Sequence, residues 1–245
     1  MRRHLEFIDD KRDSDKVIKS LRNQDSHAED ELSLFMDKYL YARLPGKENY
    51  CSIKRVKDKK LQIQGIDVTI VTIDGKPICI DEKAQIYYLN KNLPTFAFEV
   101  LSLSRQGDRI GWLCDTALQT DFYLLIWPFG TAKTVASITF DQFTKADCLL
   151  ISRKKLLNYL NELGLQPERL LTDARSIRTN RLSGKIDIPD IPGIYYYCSN
   201  NLAEAPINLI INRSILEELM SAHLIVTPQK VLTNRVNPLN LGEVR

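Results

Sequence analysis

The chain is predicted to be an α/β protein: a central mixed β-sheet flanked by helices, continued by a C-terminal extension of helices and short strands. Three features lead there. An apolar stripe at helical spacing between Ser26 and Leu40 precedes a series of β-branched runs, an Asp74-Gly75 pair joins two of those runs as a hairpin turn, and leucines recur at helical spacing beyond residue 150.

Taken in order, residues 1–25 read as a charged leader whose few apolar anchors are Leu5, Phe7, Ile8, Val17, Ile18 and Leu21. In SHAEDELSLFMDKYLYARLPG, Ala28, Leu32, Phe35, Met36, Tyr39 and Leu40 share one helical face. Ser26 serves as N-cap, acidic residues fill the first turn, and Pro45-Gly46 end the helix. Strands are expected over residues 51–56, 61–73 and 77–84, the last two pairing across the Asp-Gly turn. Residues 95–103 and 121–129 add two more, the second well buried because it is nearly continuous in apolar residues. Leu156, Leu157, Leu160 and Leu163 mark a helix with Gly164 at C′. A short helix begins near Pro167, IDIPDIPGIYYYC is strand-like and broken by proline, and a Ser214–Glu217 capping-box pattern precedes a last helix. The tail after Pro228 reads as irregular. The expected organisation is therefore a leader (1–25), a core (26–150) and an extension (151–245) packed on that core.

With 44% hydrophobic and 27% charged residues in 245, the chain has the makeup of a globular protein, which excludes disordered and fibrous classes. No run approaches the roughly 18 apolar residues of a membrane helix, and the N-terminus lacks an apolar signal segment. Cys51, Cys79, Cys114, Cys148 and Cys198 form no CxxC pair, so neither a zinc site nor a disulfide framework is suggested. A reduced, cytoplasmic protein with no membrane partner is expected. The net charge of +3 is nearly balanced. Basic residues nevertheless cluster at 54–60 and 153–185, as phosphate contacts would require, although a solvated face has the same composition.

The chemistry concentrates in GIDVTIVTIDGKPICIDEKAQ. Asp67 opens one strand, and Asp81 and Lys83, two apart near the end of its hairpin partner, share a strand face. The hairpin can bring Asp67 across to meet them. Two carboxylates and a lysine then converge, which is what phosphodiester hydrolysis calls for: hard oxygen ligands for Mg²⁺ and an ammonium to orient water or stabilise charge. The backbone carbonyl of Glu82 adds a further oxygen. Two close carboxylates should also raise at least one aspartate pKa when no cation is bound.

The order of a helix with an acidic residue, a strand, a strand opening with Asp, an Asp-Gly turn and a strand ending in Asp-X-Lys resembles the core of the PD-(D/E)XK nucleases. That superfamily includes restriction endonucleases and archaeal Holliday-junction resolvases, and the resemblance covers residues 26 to about 130. It implies a restriction-endonuclease-like core, Mg²⁺ (or Mn²⁺) as cofactor, and nucleic acid, chiefly DNA, as partner; a homodimer is compatible with it. Asp67 and Asp81 would bind metal and Lys83 would serve catalysis. The Ala28-Glu29-Asp30-Glu31-Leu32 segment matches the resolvase-like helix and points to Glu29 as a further ligand, with Glu31 the alternative. Gln85 occupies a position where the superfamily often has a polar residue touching metal-bound water or phosphate. Ile66 stands where the motif has proline, and Glu82 stands at the usually apolar X position. Either that face is wetter here, or the strand ends at Asp81.

The principal rival is a non-catalytic nucleic-acid-binding protein that keeps the nuclease fold. A third reading makes Asp81 and Lys83 an ordinary ion pair at a strand end, in an interaction protein. Glu99 reads as a solvent-facing carboxylate. Trp112, Trp127 and Tyr195-Tyr196-Tyr197 read as packing residues that also have the rings to stack bases.

Overall fold

The computed structural model describes residues 26–44, 46–199, 202 and 204–236. The expected leader, 1–25, lies outside them, as does Pro45. The described chain forms β1 (Tyr50–Arg55), β2 (Val68–Thr72), β3 (Pro77–Ala84), β4 (Thr95–Ser104), β5 (Gly107–Ile110), β6 (Phe122–Gly130), β7 (Phe143–Ser152), β8 (Gly184–Asp187), β9 (Ile194–Cys198), β10 (Ile207–Asn212), β11 (Ala222–Val226) and β12 (Val231–Val236). Its helices are α1 (residues 26–39), α2 (Lys59–Ile63), α3 (Arg153–Glu162), α4 (Pro167–Thr179) and α5 (Arg213–Leu219).

Two sheets result. A mixed seven-stranded sheet runs β1-β2-β3-β6-β7-β11-β12, with β3 and β6 parallel and its other neighbours antiparallel. An antiparallel five-stranded sheet runs β5-β4-β10-β9-β8.

Strand periodicity decides what each face of the large sheet meets. Phe122, Leu124 and Ile126 of β6 and Ala146, Cys148 and Leu150 of β7 pack with Ala28, Leu32, Phe35, Met36 and Leu40 of the α1 segment. Their neighbours Tyr123, Leu125, Trp127, Leu149 and Ile151 point the other way. There they join the second sheet and the buried stripes of α3, α4 and α5. The α1 stripe expected from spacing is the one buried, apart from the half-buried Tyr39.

Several expectations need correction. Residues 61–73 do not form one strand: Asp58 accepts the Lys60 N–H at 2.8 Å and caps the short α2, and Gly65, at φ 74°, turns the chain into β2. Residues 95–103 do form a strand, but it belongs to the second sheet. The capping box at Ser214 does not form; Asn212 is the N-cap, and Glu217 instead takes the Arg213 Nε–H at 2.8 Å. α4 has 13 residues rather than a short run. Within the tail past Pro228, expected to be irregular, Val231–Val236 form β12 and pair with β11. Residues 151–236 thus supply strands to both sheets. No helix among the described residues is long and apolar enough to cross a membrane.

Candidate functional site

The site forms where β3 ends beside the entry to β2. Asp67 precedes β2 but is already held in the ladder: its N–H donates to the Ile80 carbonyl at 2.9 Å and its carbonyl accepts from Val56 at 2.8 Å. Its side chain reaches along β3, where Oδ2 accepts the Glu82 N–H at 2.8 Å. Asp81 and Lys83 lie on one face of β3, and the Lys83 ammonium pairs with Asp81 Oδ1 at 2.5 Å. Asp81 is only 2% exposed, whereas the Lys83 side chain keeps 27% of its surface. The ammonium also lies 5.3 Å from the centre of the Trp112 ring, so a carboxylate and an aromatic face fix its position.

Electrostatics follows from crowding. Burial and the facing Asp81 carboxylate push the Asp67 pKa up from 3.8 to about 6, against the pull of Lys83 and the Glu82 N–H. Burial works against the Lys83 ammonium, but Asp81, Asp67 and Glu29 outweigh it and raise its pKa above the usual lysine value. Glu29, one helical turn inside α1, is therefore close enough to act on Lys83. Glu31, its alternative, is engaged elsewhere: Oε2 accepts the Phe140 N–H at 2.7 Å.

Glu82 resolves the question posed by its polarity. The strand continues to Ala84, and Glu82 points to the α1 face, where Tyr41 Oη donates to Oε1 at 2.8 Å and Arg55 Nη1 donates to Oε2 at 2.7 Å. Arg55 also bonds Asp37 of α1 at 2.7 Å. The face is neither wet nor apolar; it carries a buried ionic clamp that ties β1 and β3 to the helix bearing Glu29. Burial raises the Glu82 pKa, with Arg55 and Tyr41 opposing. In the contacts observed, Glu82 serves Asp67 through its backbone N–H.

Gln85 lies just past β3. Its Nε2–H donates to the Thr95 carbonyl at 2.8 Å, which fixes the amide orientation, and its Oε1 is buried without a partner. Asp81 Oδ2 is the other such atom. Among the described residues, these two oxygens are the buried side-chain polar atoms that lack a hydrogen bond.

Glu29, Asp67, Glu82, Lys83 and Gln85 line one open cleft of about 900 Å³, with Trp112 among its other walls. Beside Asp81 the wall is tight: a Cβ at Gly65 would stand 2.3 Å from Thr120 Oγ1, and Thr120 Oγ1–H donates to the Gly65 carbonyl at 2.8 Å. Trp127 and Tyr196 are buried packing residues. Glu99 sits on β4, outside the cleft, and pairs with Arg109 at 3.4 Å. Much of the basic stretch 153–185 is paired internally: Arg175 and Arg178 with Asp108, Arg169 with Asp173, and Lys185 with Asp187. The sequence reading passed over Tyr87 and Tyr88 on the cleft rim; their signal was an adjacent aromatic pair directly after the Asp-X-Lys strand.

Whether the residues fit a divalent cation can be judged from the donor set. Paired carboxylates, Asp67 with a raised pKa and Asp81 with an unsatisfied buried oxygen, are hard donors short of positive charge, and this suits Mg²⁺. Against it, Lys83 already occupies Asp81 Oδ1. No group of three or more His, Cys, Asp or Glu among the described residues is arranged as a ready metal cage. No family model matches the chain, and no curated protein or solved structure matches it.

Proposed function

We propose that this protein is a Mg²⁺-dependent nuclease with a restriction-endonuclease-like core of the PD-(D/E)XK kind, hydrolysing phosphodiester bonds, with DNA as the expected substrate. One observation carries the reading: Asp67, Lys83, Gln85 and Glu29 line one cleft, and the two buried oxygens without partners belong to Gln85 on its wall and to Asp81, buried behind Lys83. A surface ion pair would leave no such oxygens.

Asp67 and Asp81, with Glu29, would hold the metal, which supplies Lewis-acid stabilisation and a more acidic bound water. Lys83, clamped between Asp81 and Trp112, places a positive charge where the pentacovalent phosphate gains negative charge. Gln85 Oε1 offers an acceptor that can orient the attacking water. The Arg55–Glu82 clamp holds α1 against β3 and keeps Glu29 in register with Lys83.

The ready pairing of Lys83 with Asp81 favours a second reading, an ion pair of purely structural value. Calorimetric titration with Mg²⁺, run beside cleavage assays on supercoiled, linear and branched DNA, separates the two. Binding lost in Asp67→Asn, together with cleavage by the wild type, is expected. A wild type that neither binds Mg²⁺ or Mn²⁺ nor cuts any of the three substrates would overturn the proposal.

A further inference from the structure

The cleft lined by Asp67 and Lys83 has an unusual wall. Its lining is rich in acidic residues, with Glu29, Asp30, Asp37, Asp67 and Glu82 among them. Of its cations, Arg55 and Lys83 are each held by a carboxylate, and Lys57 is the remaining one. Duplex nucleic acid is gripped through many phosphates and needs a row of available cations. This cleft does not offer one. What it offers is rings: Tyr87 and Tyr88, on the turn that follows β3, are 54% and 52% exposed, and Trp112 lies deeper, over Lys83. Exposing two adjacent tyrosines leaves apolar surface in water, at a cost that a ligand stacked on them would remove. The volume, about 900 Å³, lies in the range of roughly 300–1,000 Å³ that encloses a small ligand and has room for a few nucleotides rather than a duplex.

We propose that the cleft takes single-stranded nucleic acid, or the frayed end of a duplex, with bases flanking the scissile phosphate stacked on Tyr87 and Tyr88. This rests on the nuclease reading for the phosphate's position, though not for the stacking itself. Base–aromatic stacking is tolerant of sequence and is open to unpaired bases, whereas the bases of a closed duplex already have their faces covered by one another. Specificity would then come from strand state rather than from base identity.

The test uses the full chain with Ca²⁺ in place of Mg²⁺, so that binding is read without cleavage. Fluorescein-labelled oligothymidine, oligouridine and a duplex of equal length are titrated by anisotropy. Single strands should bind at least about tenfold more tightly than duplex, and Tyr87→Ala with Tyr88→Ala should weaken them by about tenfold or more, while the matching Tyr→Phe variants bind like the wild type. The thymidine and uridine arms show whether DNA or RNA is preferred. A preference for duplex, an unaffected double-alanine variant, or phenylalanine variants as weak as alanine would overturn the proposal. Repeating the series with Mg²⁺ tells its failure from that of the nuclease reading. Single strands bound through the tyrosines but never cut would leave this inference standing and remove the enzyme. Cutting that ignores both tyrosines would do the reverse.

Discussion

Asp147 and Asp81 are both buried carboxylates in the seven-stranded sheet, two strands apart, and their surroundings differ. Asp147, on β7, has both oxygens satisfied: Arg213 Nη2–H donates to each at 3.1 Å, and His223 Nε2 lies 2.7 Å from Oδ1. Arg213 is itself held by Glu217 and Asn92, with its guanidinium 4.6 Å from the Trp127 ring centre. Asp81, on β3, has one oxygen on Lys83 and one without a hydrogen bond beside the crowded Asp67 carboxylate. A buried charge with every bond made fastens elements together, here β7, β11 and α5. One left partly unmade costs stability that a proton on its neighbour recovers only at low pH, and a cation that recovers it at neutral pH gives the arrangement a purpose.

The largest effect should separate these roles through activity. Asp81→Asn keeps the shape and removes the charge, so cleavage under saturating Mg²⁺ should fall by several orders of magnitude while the fold persists. Nucleic-acid affinity, set by contacts other than this carboxylate, should stay level or rise slightly. Wild-type cleavage by the purified variant would refute the mechanism, whatever the fold proves to be.

Asp147→Ala should reverse the pattern. Removing the carboxylate leaves Arg213 with Glu217 as its acidic partner but takes away the charged hydrogen bonds to Asp147, at a cost of about 1.5–3 kcal/mol in denaturant unfolding, whereas the folded fraction should cut at the wild-type rate. Loss of cleavage without loss of stability would mean that Asp147 belongs to a site after all.

The third effect has the opposite sign. Asp67 titrates near 6 in the fold against 3.8 ordinarily. A raised acid favours the folded state below the lower value, and that contribution fades as pH rises through about 6. At pH 7 its ionisation therefore costs the fold up to about 3 kcal/mol at 1.36 kcal/mol per pKa unit. Asp67→Asn removes the ionisation and keeps an oxygen for the Glu82 N–H. The variant should be more stable than wild type at pH 7, inactive, and no more stable near pH 4. Equal stability of the two proteins across that range would show that the carboxylates are not crowded.

How much of this could be read beforehand depends on how local the cause is. β3 was legible to its end residues because Asp-Gly, a β-branched run and Asp-X-Lys all lie within a few positions, and the α1 stripe was legible because its period is its own. α2 was misread because Leu61 and Ile63 look like strand residues, and only the Asp58 cap and Gly65 show otherwise. The sheet to which residues 95–104 belong depends on β10, more than a hundred residues later, and β12 was hidden in a polar, proline-containing tail. Within the site, the proximity of Asp67, Asp81 and Lys83 follows from a hairpin. The solution found for Glu82 does not, because Tyr41 and Arg55 are distant in sequence.

Glu82 supplies the smallest and sharpest test. It neighbours Asp81 and yet resembles Asp147, with each oxygen answered, one by Tyr41 and one by Arg55. If satisfied carboxylates fasten and unsatisfied ones act, Tyr41→Phe should behave as a structural defect. It strands one oxygen of a buried carboxylate, for a loss of about 1–3 kcal/mol in denaturant unfolding. Cleavage should change by less than about twofold, since Arg55 still holds the side chain and the bond that positions Asp67 comes from the Glu82 main chain. Restoring stability with a stabilising solute such as sucrose should remove even that difference. A fall in cleavage comparable to that of Asp81→Asn, with stability unchanged, would place Glu82 inside the reacting group and end the distinction drawn between the two faces of β3.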